Sequence, residues 1–206
     1  MAVTEPGAER PRNPRGEGSR LREQLVAAAV EVIDEVGDAE RVSVRAIARR
    51  AGVSPTALYL HFPDRDALVD AAVDAGFAAF NAALLEAAAR EEASPRVRLA
   101  AMGHAYVGFA ERQPALYAVL FTARRLPPKD SPTAAVDREA GFAGLVALAR
   151  AALDPARADE APEVAIAIWT SMHGFATLRS AGAPVPWPTP DDYIARLIDA
   201  QFGPDA

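Results

Sequence analysis

The chain has 206 residues, half of them hydrophobic, and 22 Lys and Arg against 28 Asp and Glu give it a formal charge of -6. That length suits one domain, or a small domain joined to a larger one, and the apolar content excludes wholesale disorder. Cys is absent, which excludes a disulfide framework, a thiolate metal site and a cysteine nucleophile, and taken over the whole chain the net acidity argues against a nucleic-acid partner.

Residues 1–18 hold three Pro and three Gly with hardly an aliphatic side chain, so they are expected to form a mobile arm. From Ser19 to Gly37 the apolar positions Leu21, Leu25, Ala28, Ala29, Val32, Ile33 and Val36 recur at steps of three and four, which predicts a helix ended by Gly37. Two short segments follow. Ser43 is placed to cap a helix over Val44 to Ala51, which Gly52 breaks. Ser54-Pro55 then puts a cap residue before a proline at the first helical position, opening a segment from Thr56 to Phe62 that Pro63 stops. Two short helices joined by a glycine turn, behind a longer packing helix, make a helix-turn-helix unit.

Longer helices are predicted over about 64–90, 95–112, 114–122, 133–152, 162–180 and 190–202. The segments Ala123–Pro132, with three prolines, and Ala183–Pro190, with four, cannot be helical. No alternating strand pattern of useful length and no internal repeat is present, so the expected fold is all-α. A three-helix reader over 19–66 precedes a larger helical bundle over 67–206. No run approaches roughly 18 uninterrupted apolar residues, and the first residues lack the apolar run of a signal peptide, so no membrane partner is expected and a cytoplasmic location is the default.

Dividing the charge changes its meaning. Residues 1–65 carry ten Arg and ten acids, so the whole -6 falls in residues 66–206. Between Arg41 and Pro63 lie Arg41, Arg45, Arg49 and Arg50 with no acid, a local footprint for phosphate beside the helix-turn-helix. On the second short helix Ser54, Thr56, Tyr59 and His61 offer hydrogen-bonding groups, and Ala57 is small enough for close approach to a thymine methyl, while Leu58 and Phe62 face inward with Ile47 and Val53. Tyr59 as a packing residue, His61 as a surface histidine and Arg49 and Arg50 as a solvated face remain alternatives.

The run V42-S-V-R-A-I-A-R-R-A-G-V-S-P-T-A-L-Y-L-H-F-P-D-R-D-A-L-V69 resembles the DNA-binding domain of the tetracycline-repressor (TetR) family of bacterial transcription regulators. The resemblance implies that Ser43 and Arg45 lie on a backbone-contacting helix and that Ser54 to His61 form the recognition helix. It further implies that Thr56 and Ala57 meet bases and that Tyr59 and His61 meet phosphate or base. Arg65 stands where the family usually has Lys, which keeps the charge but alters its geometry.

In the acidic remainder Leu99, Met102, Tyr106 and Phe109 share a helical face, and Tyr117 and Phe121 repeat the spacing after Pro114. Over 162–180, Trp169 and His173 share one face while Val164, Ile168, Met172, Phe175 and Leu178 follow another, and a helix apolar on two faces needs two neighbours. The segments H104-A-Y-V-G-F-A-E-R-Q-P-A-L-Y-A-V-L-F121 and W169-T-S-M-H-G174 resemble a TetR ligand-domain type named for its Trp-His-Gly signature. This second resemblance implies a regulatory domain that dimerises through its last two helices and encloses a small, largely apolar or aromatic effector. Met102, Tyr106, Phe109, Tyr117, Phe121, Trp169, Met172 and His173 are then candidates for the pocket wall, and Ile166, Ile194, Leu197 and Ile198 for the homodimer interface. An ordinary aromatic core explains the same stripe. No metal or cofactor is expected, because His104 and His173 have no acidic cluster beside them. The reading is therefore a ligand-responsive repressor that binds a near-palindromic double-stranded DNA operator as a dimer, not an enzyme. The alternatives are a carrier or enzyme with a vestigial helix-turn-helix, and a regulator controlled by a protein partner.

Overall fold

The computed structural model describes residues 17–89, 93–122 and 132–203. Among these it contains helices and no strand. The expected arm, apart from its last two residues, and the proline-containing segment 123–131 lie outside the described residues.

Helix α1 (Glu17–Val36) buries Leu25, Ala28, Ala29, Val32 and Ile33, while Val36 at its end stays exposed. Fully burying a side chain such as Leu25 or Ile33 contributes about 1.5–3 kcal/mol relative to leaving it in water. Gly37 stops the helix at φ 69°, and its N–H donates to Ile33 O at 2.8 Å. Helix α2 (Val44–Ala51) starts at Ser43, whose Oγ accepts from the Ala46 N–H at 3.2 Å. It ends at Gly52, where φ 70° favours glycine although a Cβ would meet no neighbour.

Helix α3 (Pro55–Leu58) is shorter than the predicted segment. Ser54 Oγ caps it by accepting from Ala57 N–H at 3.2 Å. Beyond Leu58 the chain tightens: Leu60 N–H donates to Ala57 O and His61 N–H to Leu58 O, both three residues back. Pro63 explains the change, since its ring pushes the preceding residue away from helical geometry. Leu58, Phe62 and Ile47 are buried as expected, and Val53 is half-buried.

Asp64 Oδ1 accepts from the Ala67 N–H at 2.8 Å and opens α4 (Arg65–Ala89), 25 residues and about 37 Å long at 1.5 Å per residue. The expected domain boundary at 66/67 falls inside its first turn. By length and composition α4 could cross a membrane, although no single run of apolar residues shows it. It is instead a core helix, packed against α1, α5 (Pro95–Arg112), α6 (Pro114–Thr122) and α7 (Pro132–Ala152). Helices α8 (Ala161–Ser180) and α9 (Pro190–Phe202) close the bundle against α5. The segment between them, including Pro184 to Pro188, is non-helical as expected.

Two packing details govern the large domain. Phe80 sits edge-on to Tyr106, Phe109 and Phe121 at ring separations of 5.0, 5.1 and 5.6 Å, tying α4 to α5 and α6. Gly103 lets α9 approach α5 so closely that a Cβ there would lie 3.3 Å from Ile194 Cγ2. Ile194 and Ile198 are therefore only 2% and 8% exposed. Both were expected at a dimer interface; within the single chain they are already buried, because the apolar stripe of α9 faces its own bundle.

Candidate functional site

The reader presents a mostly polar face. Ser43, Arg45, Ser54 and Thr56 are exposed, Ala57 and His61 are half-buried, and Tyr59 is 54% exposed. Leu60, to which no role was assigned, is the most exposed large apolar residue at 80%. Ser43 and Ser54 already use their hydroxyl oxygens as caps, so each retains its O–H for an outside acceptor.

The arginines separate into two groups. Arg50 is drawn onto α1, donating to Glu31 Oε2 at 2.8 Å and to Glu35 Oε1, and these hydrogen bonds raise its already high pKa. Arg22 lies over the Phe62 ring at 4.9 Å. Arg41, Arg45 and Arg49 are exposed and form no ion pair among the described residues, so they carry the basic surface.

Arg65, expected to meet phosphate, has a different occupation. Its Nε donates to Val42 O at 2.7 Å, one Nη donates to Ala39 O and the other to Asp66 Oδ1 at 2.6 Å. The guanidinium fork thus clamps the turn before α2 onto the first turn of α4. A lysine ammonium could not reach both carbonyls with the same rigid geometry.

The larger domain holds a partly open cavity of about 590 Å³. Of the predicted wall residues, Met102, Tyr106, Phe121, Trp169 and Met172 line it. Phe109, Tyr117 and His173 stand behind that wall. Phe109 packs under Phe80, while Tyr117 and His173 are turned toward the Tyr106 hydroxyl. The predicted interface residues Ile166, Ile194, Leu197 and Ile198 also line the cavity. Of these, Ile166 is 49% exposed and Leu197 is half-buried. Sequence reasoning missed the α4 and α7 contributions, among them Phe77, Asn81, Leu84, Phe142 and Leu145. The available signal was that α4 is apolar all round, which places it among several neighbours rather than beside one.

A polar triangle backs this wall. The Tyr117 and Tyr106 hydroxyls lie 2.8 and 3.1 Å from His173 Nδ1 and 3.1 Å from each other. Where Nδ1 accepts from a hydroxyl the ring proton is on Nε2, and where Nδ1 carries the proton it donates to a phenol oxygen. Burial lowers the His173 pKa and raises both tyrosines, so the triangle is uncharged near neutrality.

Two links join the cavity to the reader. Helix α4 carries Arg65 at one end and Val73, Phe77, Phe80, Asn81 and Leu84 in the cavity wall further along. Helix α6 carries Leu120 and Phe121 in the wall, while its first turn is held from α1: Asp34 Oδ1 accepts from the Leu116 N–H at 2.9 Å. Asp34 had no role in the sequence reading.

A helix-turn-helix reader mounted on a helical bundle around an apolar cavity defines a DNA-binding regulator. Residues 25–72 match the family described as "Bacterial regulatory proteins, tetR family", and residues 99–201 match "Tetracyclin repressor-like, C-terminal domain". The chain belongs to the TetR family of transcription regulators. The nucleoid occlusion factor SlmA of Marinobacter nauticus is 35% identical over 103 residues, 48% of this chain and 50% of that protein. The HTH-type transcriptional regulator BetI of Ectopseudomonas mendocina is 40% identical over 82 residues, 39% of this chain and 41% of that protein. The chain thus spans half the length, or less, of these curated relatives. Among solved structures, a protein of unknown function from Rhodococcus sp. RHA1 is similar at TM-score 0.73 and 30% identity, over 93% of this chain and 97% of that one.

Proposed function

We propose that this TetR-family regulator is a ligand-responsive repressor that binds a near-palindromic operator as a dimer and is released by a small apolar effector. The observation that carries the reading is α4, one helix that clamps the reader through Arg65 and walls the cavity through Phe77, Phe80 and Leu84. An effector that fits better when α4 is displaced would shift the population toward readers out of register with DNA. In a dimer the two readers would enter successive major grooves about 34–36 Å apart. Thr56 and Ala57 would meet bases, with Arg45 and Arg49 on phosphates. Arg65 drops out of the contact set and becomes a support.

The dimer reading rests on α8. Its inner face buries Val164, Ile168, Met172 and Phe175, whereas Ile166, Trp169 and Leu178 remain 49%, 41% and 53% exposed. Of these, Ile166 and Trp169 lie on the side away from the buried face and fit a second copy, whereas Leu178 follows the buried face toward the end of the helix. A regulator controlled only by a protein partner would have no use for the cavity.

The test is binding of the full chain to a duplex from the promoter upstream of its own gene, measured against salt and with a panel of hydrophobic small molecules. Steep salt dependence with sequence preference, and release by one of the compounds, are expected. Operator affinity that stays unchanged when a compound saturates the cavity would overturn the effector part.

A further inference from the structure

The composition of the cavity wall bears on which amphiphiles can enter it. Among the described residues every side chain lining it is uncharged, from Phe77 and Leu84 on α4 to Trp169 on α8 and Leu197 on α9. Its polar groups are the Asn81 amide, the Tyr106 hydroxyl and the Trp169 indole, and none of these is an ion. The Tyr106 hydroxyl is engaged by Tyr117 and His173 from behind.

Among the described residues, several charged groups of these helices are committed elsewhere. Arg96 donates to the Phe202 and Gly203 carbonyls at the end of α9, and Arg98 donates to Ala88 O at the end of α4. Arg179 pairs with Glu111 at 3.3 Å, and His104 pairs with Asp191 at 2.8 Å. An ion moved from water into such a wall loses its hydration and gains no counter-charge, which costs several kcal/mol. A neutral hydroxyl, ester or ketone loses far less and can exchange hydrogen bonds with an amide or phenol.

We infer that the effector site selects electrically neutral, hydrocarbon-rich molecules and discriminates against carboxylate and ammonium amphiphiles of the same length. This rests on the proposed effector reading and narrows it: the uncharged wall accepts the body of a lipophile by dispersion and apolar burial, and it rejects a charged head by desolvation. A volume of about 590 Å³ falls within the ~300–1,000 Å³ that houses drug-sized ligands, so a molecule with ten or so carbons can be accommodated.

The experiment uses the full chain at pH 8 with the neutral fluorophore N-phenyl-1-naphthylamine, displaced by 1-decanol, decanoate and decylammonium below their micellar concentrations. Displacement by 1-decanol at a Kd at least 10-fold below that of either ion is expected. Cavity-filling Met102→Trp, and Leu145→Trp on α7, are expected to abolish fluorophore binding while keeping a cooperative thermal transition. Decanoate or decylammonium binding as tightly as 1-decanol would overturn the neutral selectivity and leave the cavity standing as an effector site. Fluorophore binding that persists in both cavity-filled variants would overturn the assignment of selectivity to this wall. Failure of the fluorophore and all three probes to bind would overturn both this inference and the effector reading, without touching DNA binding.

Discussion

Replacing Arg65 with Ala separates a structural clamp from a phosphate contact. The substitution removes the donors to Ala39 O and Val42 O and the pair with Asp66. Hydrogen bonds from a charged group contribute about 1.5–3 kcal/mol each before screening. The Arg65 side chain is 26% exposed and Asp66 48%, so the ion pair adds little and solvent discounts the rest. A net loss of about 2–3 kcal/mol follows, which for a chain of this size lowers Tm by about 4–12 °C. Arg65→Lys, with a single ammonium, falls between the two. Tm comes from calorimetry of the free protein, and the slope of log affinity against log salt comes from fluorescence anisotropy on the operator duplex. If Arg65 is a clamp, affinity falls but the slope stays as in the parent. A stable Arg65→Ala protein whose slope is shallower by about 0.9 per subunit would refute the clamp and restore the phosphate contact.

Arg45→Ala, which removes an exposed and unpaired cation, weakens binding to all duplexes alike and reduces the salt slope by about 0.9 per subunit, whereas Thr56→Ala costs about 1–3 kcal/mol at one base-pair position and leaves the slope alone. Competition titrations with single-position operator variants distinguish the two, and an Arg45→Ala that changes only sequence preference would reverse these roles. Ile166→Glu alters a side chain that is 49% exposed in the single chain, so under the proposed dimer reading it is expected to give a folded monomer; light scattering showing a dimer in both parent and variant would remove α8 from the interface. His173, held neutral by burial with its pKa lowered, makes the unfolded chain the better proton acceptor as pH falls below about 6.5, so stability contributed by this site is intact above that pH and declines beneath it. Comparing parent and His173→Gln Tm values at pH 7.5 and pH 5.5 checks the sign, and a parent that lost no more stability than the variant would contradict it.

Much of the architecture was legible because local rules and tertiary packing agree. Ser43, Ser54 and Gly52 each do in space what their position in the chain implies, and α5, α6 and α9 begin at prolines 95, 114 and 190 as read. Where reading and structure part, a long-range partner is responsible. Arg65 could be recognised as a positive charge where the family usually has Lys but not as a clamp, since Ala39 and Val42 lie more than twenty residues earlier in the chain. Ile194 and Ile198 sit on an apolar stripe that fits a partner subunit or the chain's own core equally well, and Gly103 on another helix decides for the core. Periodicity found the aromatic residues of α5, α6 and α8. It could not separate those facing the cavity, such as Tyr106, from those one layer behind, such as Phe109 and Tyr117, because both kinds are buried.

The packing of α4 also bears on how the molecule can be cut. Its apolar surface is covered by α5, α6 and α7, all of which follow it along the polypeptide. A nascent chain therefore emerges with its reader complete and α4 uncovered until some sixty further residues have been made. A fragment ending near Ala89 keeps that surface permanently bare and is expected to self-associate or engage chaperones rather than stay monomeric. One ending near Asp66 loses Leu68, Val69 and Ala72, which are buried on the reader side of α4. The N-terminal third is a recognisable unit of sequence that is not expected to fold separately, and a hybrid regulator that borrows this reader is expected to need a bundle to cover α4.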